Sequence, residues 1–80
     1  MTWNERVVRT EHPDQEITYG VHEAFYHKPS DTIPHSITTT PVSPYGGTLE
    51  ELAKVIERYK QACSQPVLIL RNDKVEEYTD

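Results

Sequence analysis

The chain carries one cysteine, Cys63, in eighty residues. A lone thiol cannot close an intramolecular disulfide, so the stapled framework of small secreted domains is excluded and a reducing cytoplasm is the expected home. Long apolar runs are missing too. The longest purely aliphatic stretch is Val67–Leu70, far short of the roughly 20 residues that span a bilayer, and the opening Met-Thr-Trp-Asn-Glu-Arg lacks the apolar core of a signal peptide. No membrane association is expected. Positive charge is scarce: eight Lys and Arg stand against thirteen Asp and Glu, a net charge of −5, with a pI near 5.2. The eight cations are scattered along the chain, so there is no basic face for counterion release on a polynucleotide, and nucleic acid is disfavoured as a partner. Leu, Ile, Val and Phe together make up seventeen residues, just above the fifth or so of a chain below which disorder is expected. The length permits one domain with a thin core and a stability of a few kcal/mol, and it excludes barrels and doubly wound sheets.

The common catalytic signatures are absent as well. There is no Gly-x-Ser-x-Gly elbow, and Gly46-Gly47 is only a two-glycine echo of a phosphate loop. The helix start that follows is already occupied electrostatically by Glu50 and Glu51. His22-Glu23 with His27 fails the His-Glu-x-x-His pattern, because the second histidine comes five residues after the first and the segment reads as a strand. His12 and His35 sit in or near loops without ligand spacing. Cys63 is expected as a buried, inert thiol near a helix C-terminus, where the dipole disfavours a thiolate. No catalytic residue, metal site or cofactor is expected.

What is present reads as β-β-β-α-β. Residues 3–10 and 17–27 have strand composition, with Ile17, Tyr19, Val21 and Phe25 at period two. Between them, Pro13 in His12-Pro13-Asp14-Gln15 suits the second position of a type I turn. Residues 35–42 form a third strand, held to an edge or ended by Pro41. Thr48 with Glu51 forms a capping box that opens a helix, Pro66 stops it, and Leu49, Leu52, Ala53, Ile56 and Cys63 make its apolar stripe, flanked by Tyr59. Residues 67–70 are a short strand. The expected product is an α+β domain over residues 1–70, a small antiparallel sheet with one helix packed across one face, followed by a charged tail at 71–80.

The register of the first hairpin decides which residues share a face. A four-residue loop at Pro13–Glu16 sets Val8 against Val21, Arg6 against Glu23 and Trp3 against Tyr26. A five-residue loop sets Val7 against Val21 and Trp3 against Phe25. The second choice buries more apolar surface but places Glu5 directly opposite Glu23, a costly pairing if both are desolvated. The first register is therefore expected, with Val8, Tyr19, Val21 and Phe25 under the helix. Trp3, His22 and Tyr26 would then lie on the opposite face as a protein-contact patch.

Trp-Asn-Glu-Arg-Val-Val at 3–8, Tyr-Gly-Val-His-Glu-Ala-Phe-Tyr at 19–26, Pro-Val-Ser-Pro-Tyr-Gly at 41–46, Thr-Leu-Glu-Glu-Leu at 48–52 and Pro-Val-Leu at 66–68 resemble a family of short bacterial proteins that brings no reaction with it. The step from Gly47 into Thr48, Leu49, Glu50 and Glu51 is similar to HicB-like antitoxin domains. That resemblance implies a β-β-β-α-β core that binds a toxin partner. The expected role is a non-enzymatic protein-interaction or regulatory module, its partner another protein, with a homodimer through an exposed sheet edge as a further arrangement. The alternatives are an enzyme-accessory or metal-handling module using the histidines, and an acidic mimic of nucleic acid.

Overall fold

The computed structural model describes residues 2–79. Alternating side chains through the first 26 positions build two ten-residue strands, β1 (Thr2–Glu11) and β2 (Ile17–Tyr26). They are followed by β3 (Ser36–Ile37), α1 (Leu49–Ala62), β4 (Leu68–Arg71) and β5 (Lys74–Glu77). The fold is α+β, with one five-stranded sheet in the order β3-β2-β1-β4-β5. Its finer form departs from the expected antiparallel sheet. After β3 the chain crosses through α1, a connection long enough to bring β4 in beside β1 in parallel, with Val8 opposite Leu68.

The hairpin takes the register with five loop residues: Val7 faces Val21, Trp3 faces Phe25 and Glu5 faces Glu23. The expected pairing of Val8 with Val21 is thus one residue off, so the β1 side chains are on the other face from the one assigned to them, Val8 inside and Trp3 on the helix side, while Tyr19, Val21 and Phe25 of β2 keep the helix side. The Pro13 turn itself is present, with the Gln15 N–H donating to the His12 carbonyl at 2.9 Å. Within those five residues the His12 N–H donates to the Glu16 carbonyl at 2.9 Å, so three residues close the turn, and Gln15 at φ 72° takes the left-handed position that follows a type I turn in such loops. Glycine or asparagine usually marks that position, so the sequence carried no sign of it.

Two observations explain why opposed carboxylates are tolerated. Glu23 is half-buried and keeps contact with water, and Glu5, whose side chain is only 12% exposed, is met by Arg58 of the helix, whose Nη2 lies 3.4 Å from its carboxylate. Beside them, the Tyr59 phenol is raised above its ordinary pKa by burial first and then by the charge of Glu5, with Arg58 opposing.

The helix begins as its sequence suggests. Thr48 is extended at φ −136° and its hydroxyl accepts from the Glu51 N–H at 3.1 Å, while the Glu51 carboxylate accepts from the Gly47 N–H at 2.9 Å. At Gly46, a Cβ would stand 2.6 Å from the Leu52 nitrogen, so only glycine lets this loop lie on the first turn. The stripe that faces the sheet is rotated from the expected one. Leu52, Val55 and Tyr59 are half-buried and Ala62 is buried, whereas Leu49, Ala53, Ile56 and Cys63 are exposed. The thiol is therefore not buried.

The expected tail after residue 70 carries a strand, β5, over Lys74–Glu77. Asn72 and Asp73 both take positive φ, 53° and 62°, the backbone of a two-residue type I′ hairpin loop. That loop turns β4 into β5, and Val75 enters the core at 6% exposure. The expected strand at 35–42 shortens to Ser36–Ile37. The chain beyond it still runs beside β2, with the Val42 N–H donating to the Val21 carbonyl at 2.8 Å.

The sheet curls until β3 and β5, its two edges, approach each other. The inner face holds Val8, Ala24, Tyr26, Leu68 and Val75, with Ile37 packed against them. Val7 and Ile69, both buried, belong to the outer face by their place in the ladders. Among the described residues no helix is long and apolar enough to cross a membrane.

Two substitutions test these turns. Thr48→Ala should cost about 0.5–2 kcal/mol by removing the cap, read as a lower denaturation midpoint. Gln15→Gly should stabilise the fold by about 1 kcal/mol, because glycine carries no Cβ penalty at positive φ. A lower midpoint for Gln15→Gly would count against the left-handed turn.

Candidate functional site: a cavity floored by a buried arginine

Curling places the even-numbered residues of β1 and β2 inside, among them an arginine and a histidine. Arg6 is 3% exposed and His22 is 4% exposed. They serve opposite ends of the curl. A cavity of about 460 Å³ at the Arg6 end is walled by Trp3, Asn4, Tyr26, Pro66 and residues of the 29–32 loop. A smaller one of about 250 Å³ lies at the other end, beside His22, Thr38 and Leu70.

Arg6 is held by neutral partners. Its Nη1 donates to the Tyr26 hydroxyl at 2.9 Å and its Nη2 to the Pro66 carbonyl at 2.8 Å. The Tyr26 hydroxyl donates onward to Asn4 Oδ1 at 2.9 Å. The Nε is buried and has no hydrogen-bond partner. Among the described residues no carboxylate comes within 4.0 Å of this guanidinium. A buried charge without a counter-ion carries a penalty of several kcal/mol, so the arrangement is unusual in a protein with a core this thin. Asp31 and Glu77 also line the cavity, and Asp31 Oδ2 accepts from the Lys28 N–H at 3.1 Å.

The three residues expected to form a contact patch are separated. Trp3 is 53% exposed and pairs with Phe25, so its position on β1 lies on the opposite face from His22 and Tyr26. Those two are buried, at 4% and 7% exposure. The common exposed face expected of them does not exist: the register turns Trp3 to the helix side, and the curl of the sheet buries His22 and Tyr26. Trp3 and Tyr26 do meet at the wall of the Arg6 cavity. His22 does not reach it. Its Nδ1 lies 2.9 Å from the Thr38 carbonyl, which only accepts, so Nδ1 carries the proton and the ring ties β2 to the chain beyond β3.

The other histidines are dispersed. His12 Nε2 is 2.9 Å from Thr18 Oγ1 on the hairpin, and His27 stacks on His35 with ring centroids 3.9 Å apart. Among the described residues no group of three or more His, Cys, Asp or Glu side chains is placed to hold a metal ion. On the outer side of β1, Arg9 Nη1 donates to the Tyr19 hydroxyl at 2.7 Å, its Nε pairs with Glu11 at 3.1 Å, and its guanidinium lies 4.4 Å from the Tyr78 ring. Hydrogen bonding to Tyr19 raises the Arg9 pKa further above its ordinary range. This cluster fastens residues after β5 onto β1.

Sequence reasoning missed Arg6 and Asn4, which at positions 4 and 6 look like the polar side of an alternating strand. No protein-family model, curated protein or solved structure matches the chain.

Tyr26→Phe should cost about 1–3 kcal/mol, because it strips a partner from both Arg6 and Asn4 while keeping the ring. Equal melting temperatures for variant and parent would show that the network does not hold the floor of the cavity.

Proposed function

We propose that the protein is a non-enzymatic interaction module that receives a segment of another protein at the Arg6 cavity. Trp3 is the observation that carries this reading. It is a large aromatic, 53% exposed, on the wall of a cavity whose other residues include the buried Arg6 and Tyr26. Aromatic and arginine side chains gathered at a concave site are the typical anchors of protein recognition. A volume of about 460 Å³ accommodates one or two residues of a partner and is within the range of small binding pockets. The wall offers Asn4, Thr32 and Gln65 as neutral hydrogen-bonding groups, which suits a peptide segment. The resemblance to HicB-like antitoxin domains, whose core binds a protein partner, supports the same class of role.

The metal-handling alternative draws no support from the histidines, which the fold distributes over the hairpin, the inner sheet face and the stacked His27–His35 pair. Pairing of two copies through a sheet edge has little ladder to use, since β3 has two residues and curling turns it toward β5.

The test compares two surface variants against a partner captured from cells and then purified. Trp3→Ala should weaken its binding by at least about tenfold, the typical loss at an aromatic anchor. Ile56→Ala, on the exposed side of the helix, should leave binding unchanged. The reverse pattern, with Trp3→Ala neutral and Ile56→Ala damaging, would move the interface to the helix and overturn the cavity reading.

A further inference from the structure

We infer that the group received by this cavity is a carboxylate of the partner chain, bound by the terminal nitrogens of Arg6. The inference rests on the reading above that the cavity binds a protein segment, and it assigns the chemistry of recognition. Arg6 is 3% exposed, forms part of the cavity wall, and has no carboxylate within 4.0 Å among the described residues. Guanidinium carries five N–H donors. Two are used, one on the Tyr26 hydroxyl and one on the Pro66 carbonyl. Both acceptors are neutral, so they orient the group without balancing its charge.

The bonding pattern also says which edge is left. Nε is sealed from solvent without a partner, so an incoming anion is met by Nη1 and Nη2, each of which keeps a second N–H. The remaining N–H groups of the two terminal nitrogens can donate to the oxygens of a carboxylate, a charge-assisted bond that the neutral partners do not supply. The guanidinium plane is fixed because the Tyr26 hydroxyl is itself anchored on Asn4. An arginine already oriented by its neighbours loses little freedom on binding.

The rest of the wall narrows the ligand. Asp31 and Glu77 line the same cavity, and their charges repel a compact polyanion such as phosphate. A carboxylate carried on a peptide brings N–H donors within a few bonds of its oxygens, and these can face the acidic side chains while the oxygens face Arg6. The geometry therefore points to an Asp or Glu side chain, or a chain terminus, of a polypeptide.

The experiment uses the full chain, labelled with nitrogen-15, and follows the Arg6 Nε–Hε and Trp3 indole N–H signals. Four probes are titrated separately: acetyl-Gly-Gly as the free acid, its C-terminal amide, acetyl-aspartyl amide and inorganic phosphate. The expected result is a saturable shift of both signals with at least one peptide carboxylate, and binding at least about tenfold weaker for the neutral amide. The free acid and the aspartyl probe distinguish a chain terminus from a side chain. Equal shifts with the amide would overturn the carboxylate assignment while leaving a peptide-binding cavity. Phosphate binding as tightly as the peptide acids would overturn the peptide source. No shift of the Arg6 signal with any probe would overturn the inference, whatever Trp3→Ala does to the natural partner. Arg6→Gln should abolish the acid-dependent shift at Trp3. If that variant does not fold, the comparison of acid with amide on the unaltered protein still decides.

Discussion

The ladder between β1 and β2 governs the rest of the molecule, because it sends each residue of the first 26 to one side of the sheet or the other. With Val7 opposite Val21, the even positions turn into the curl and the odd positions turn toward the helix. A shift of one residue would move one strand's residues to the other face relative to its partner's. Arg6 would then stand opposite Glu23, and His22 opposite Val7. The setting depends on one backbone feature, Gln15 at φ 72°, which adds the fifth residue to the loop. Its strain is offset by burial on both faces. Val8 and Ala24 become inner-core residues, and Val7 is buried on the other side at 8% exposure.

The arrangement solves a problem of size. Eighty residues cannot surround a single large core, and a flat sheet with one helix would leave a whole face wet. Curling lets one sheet supply a second apolar layer from its own inner face, closed by β4 and β5. Such a small enclosure has ends, and polar residues occupy them. At one end, the His22 ring is fastened by a hydrogen bond to the Thr38 carbonyl. At the other, Arg6 is tethered only by neutral oxygens. The first is a structural fastening, and the second leaves a charge without an answer inside a cavity. That asymmetry directs attention to the Arg6 end.

Opposed carboxylates at Glu5 and Glu23 show how the helix and the sheet depend on each other. Their repulsion is moderated by the half-exposure of Glu23 and by Arg58, which meets the largely buried Glu5 across the helix–sheet contact. The same contact holds Tyr59 near both acids. A pairing that looks prohibitive within a two-stranded ribbon becomes acceptable once a third element carries a cation to it.

Much of the local structure was legible without coordinates. The capping box at Thr48 and Glu51, the turn at Pro13, the stop before Pro66 and the two long strands all follow from short-range chemistry, because each depends on residues within four or five positions of one another. The α+β class follows from their order. The strand after Asn72-Asp73 was legible in principle, since that pair favours left-handed backbone, yet the flanking charges concealed it. Hairpin register, helix rotation and the parallel pairing of β1 with β4 could not be read in the same way. Each is a choice between alternatives of similar local energy, settled by which surfaces are buried when distant segments meet. The candidate site belongs to this second class. Arg6, Tyr26 and Pro66 are ordinary residues far apart in the chain; the hairpin register sets the arginine opposite His22 and away from Glu23, and the curl of the sheet encloses it.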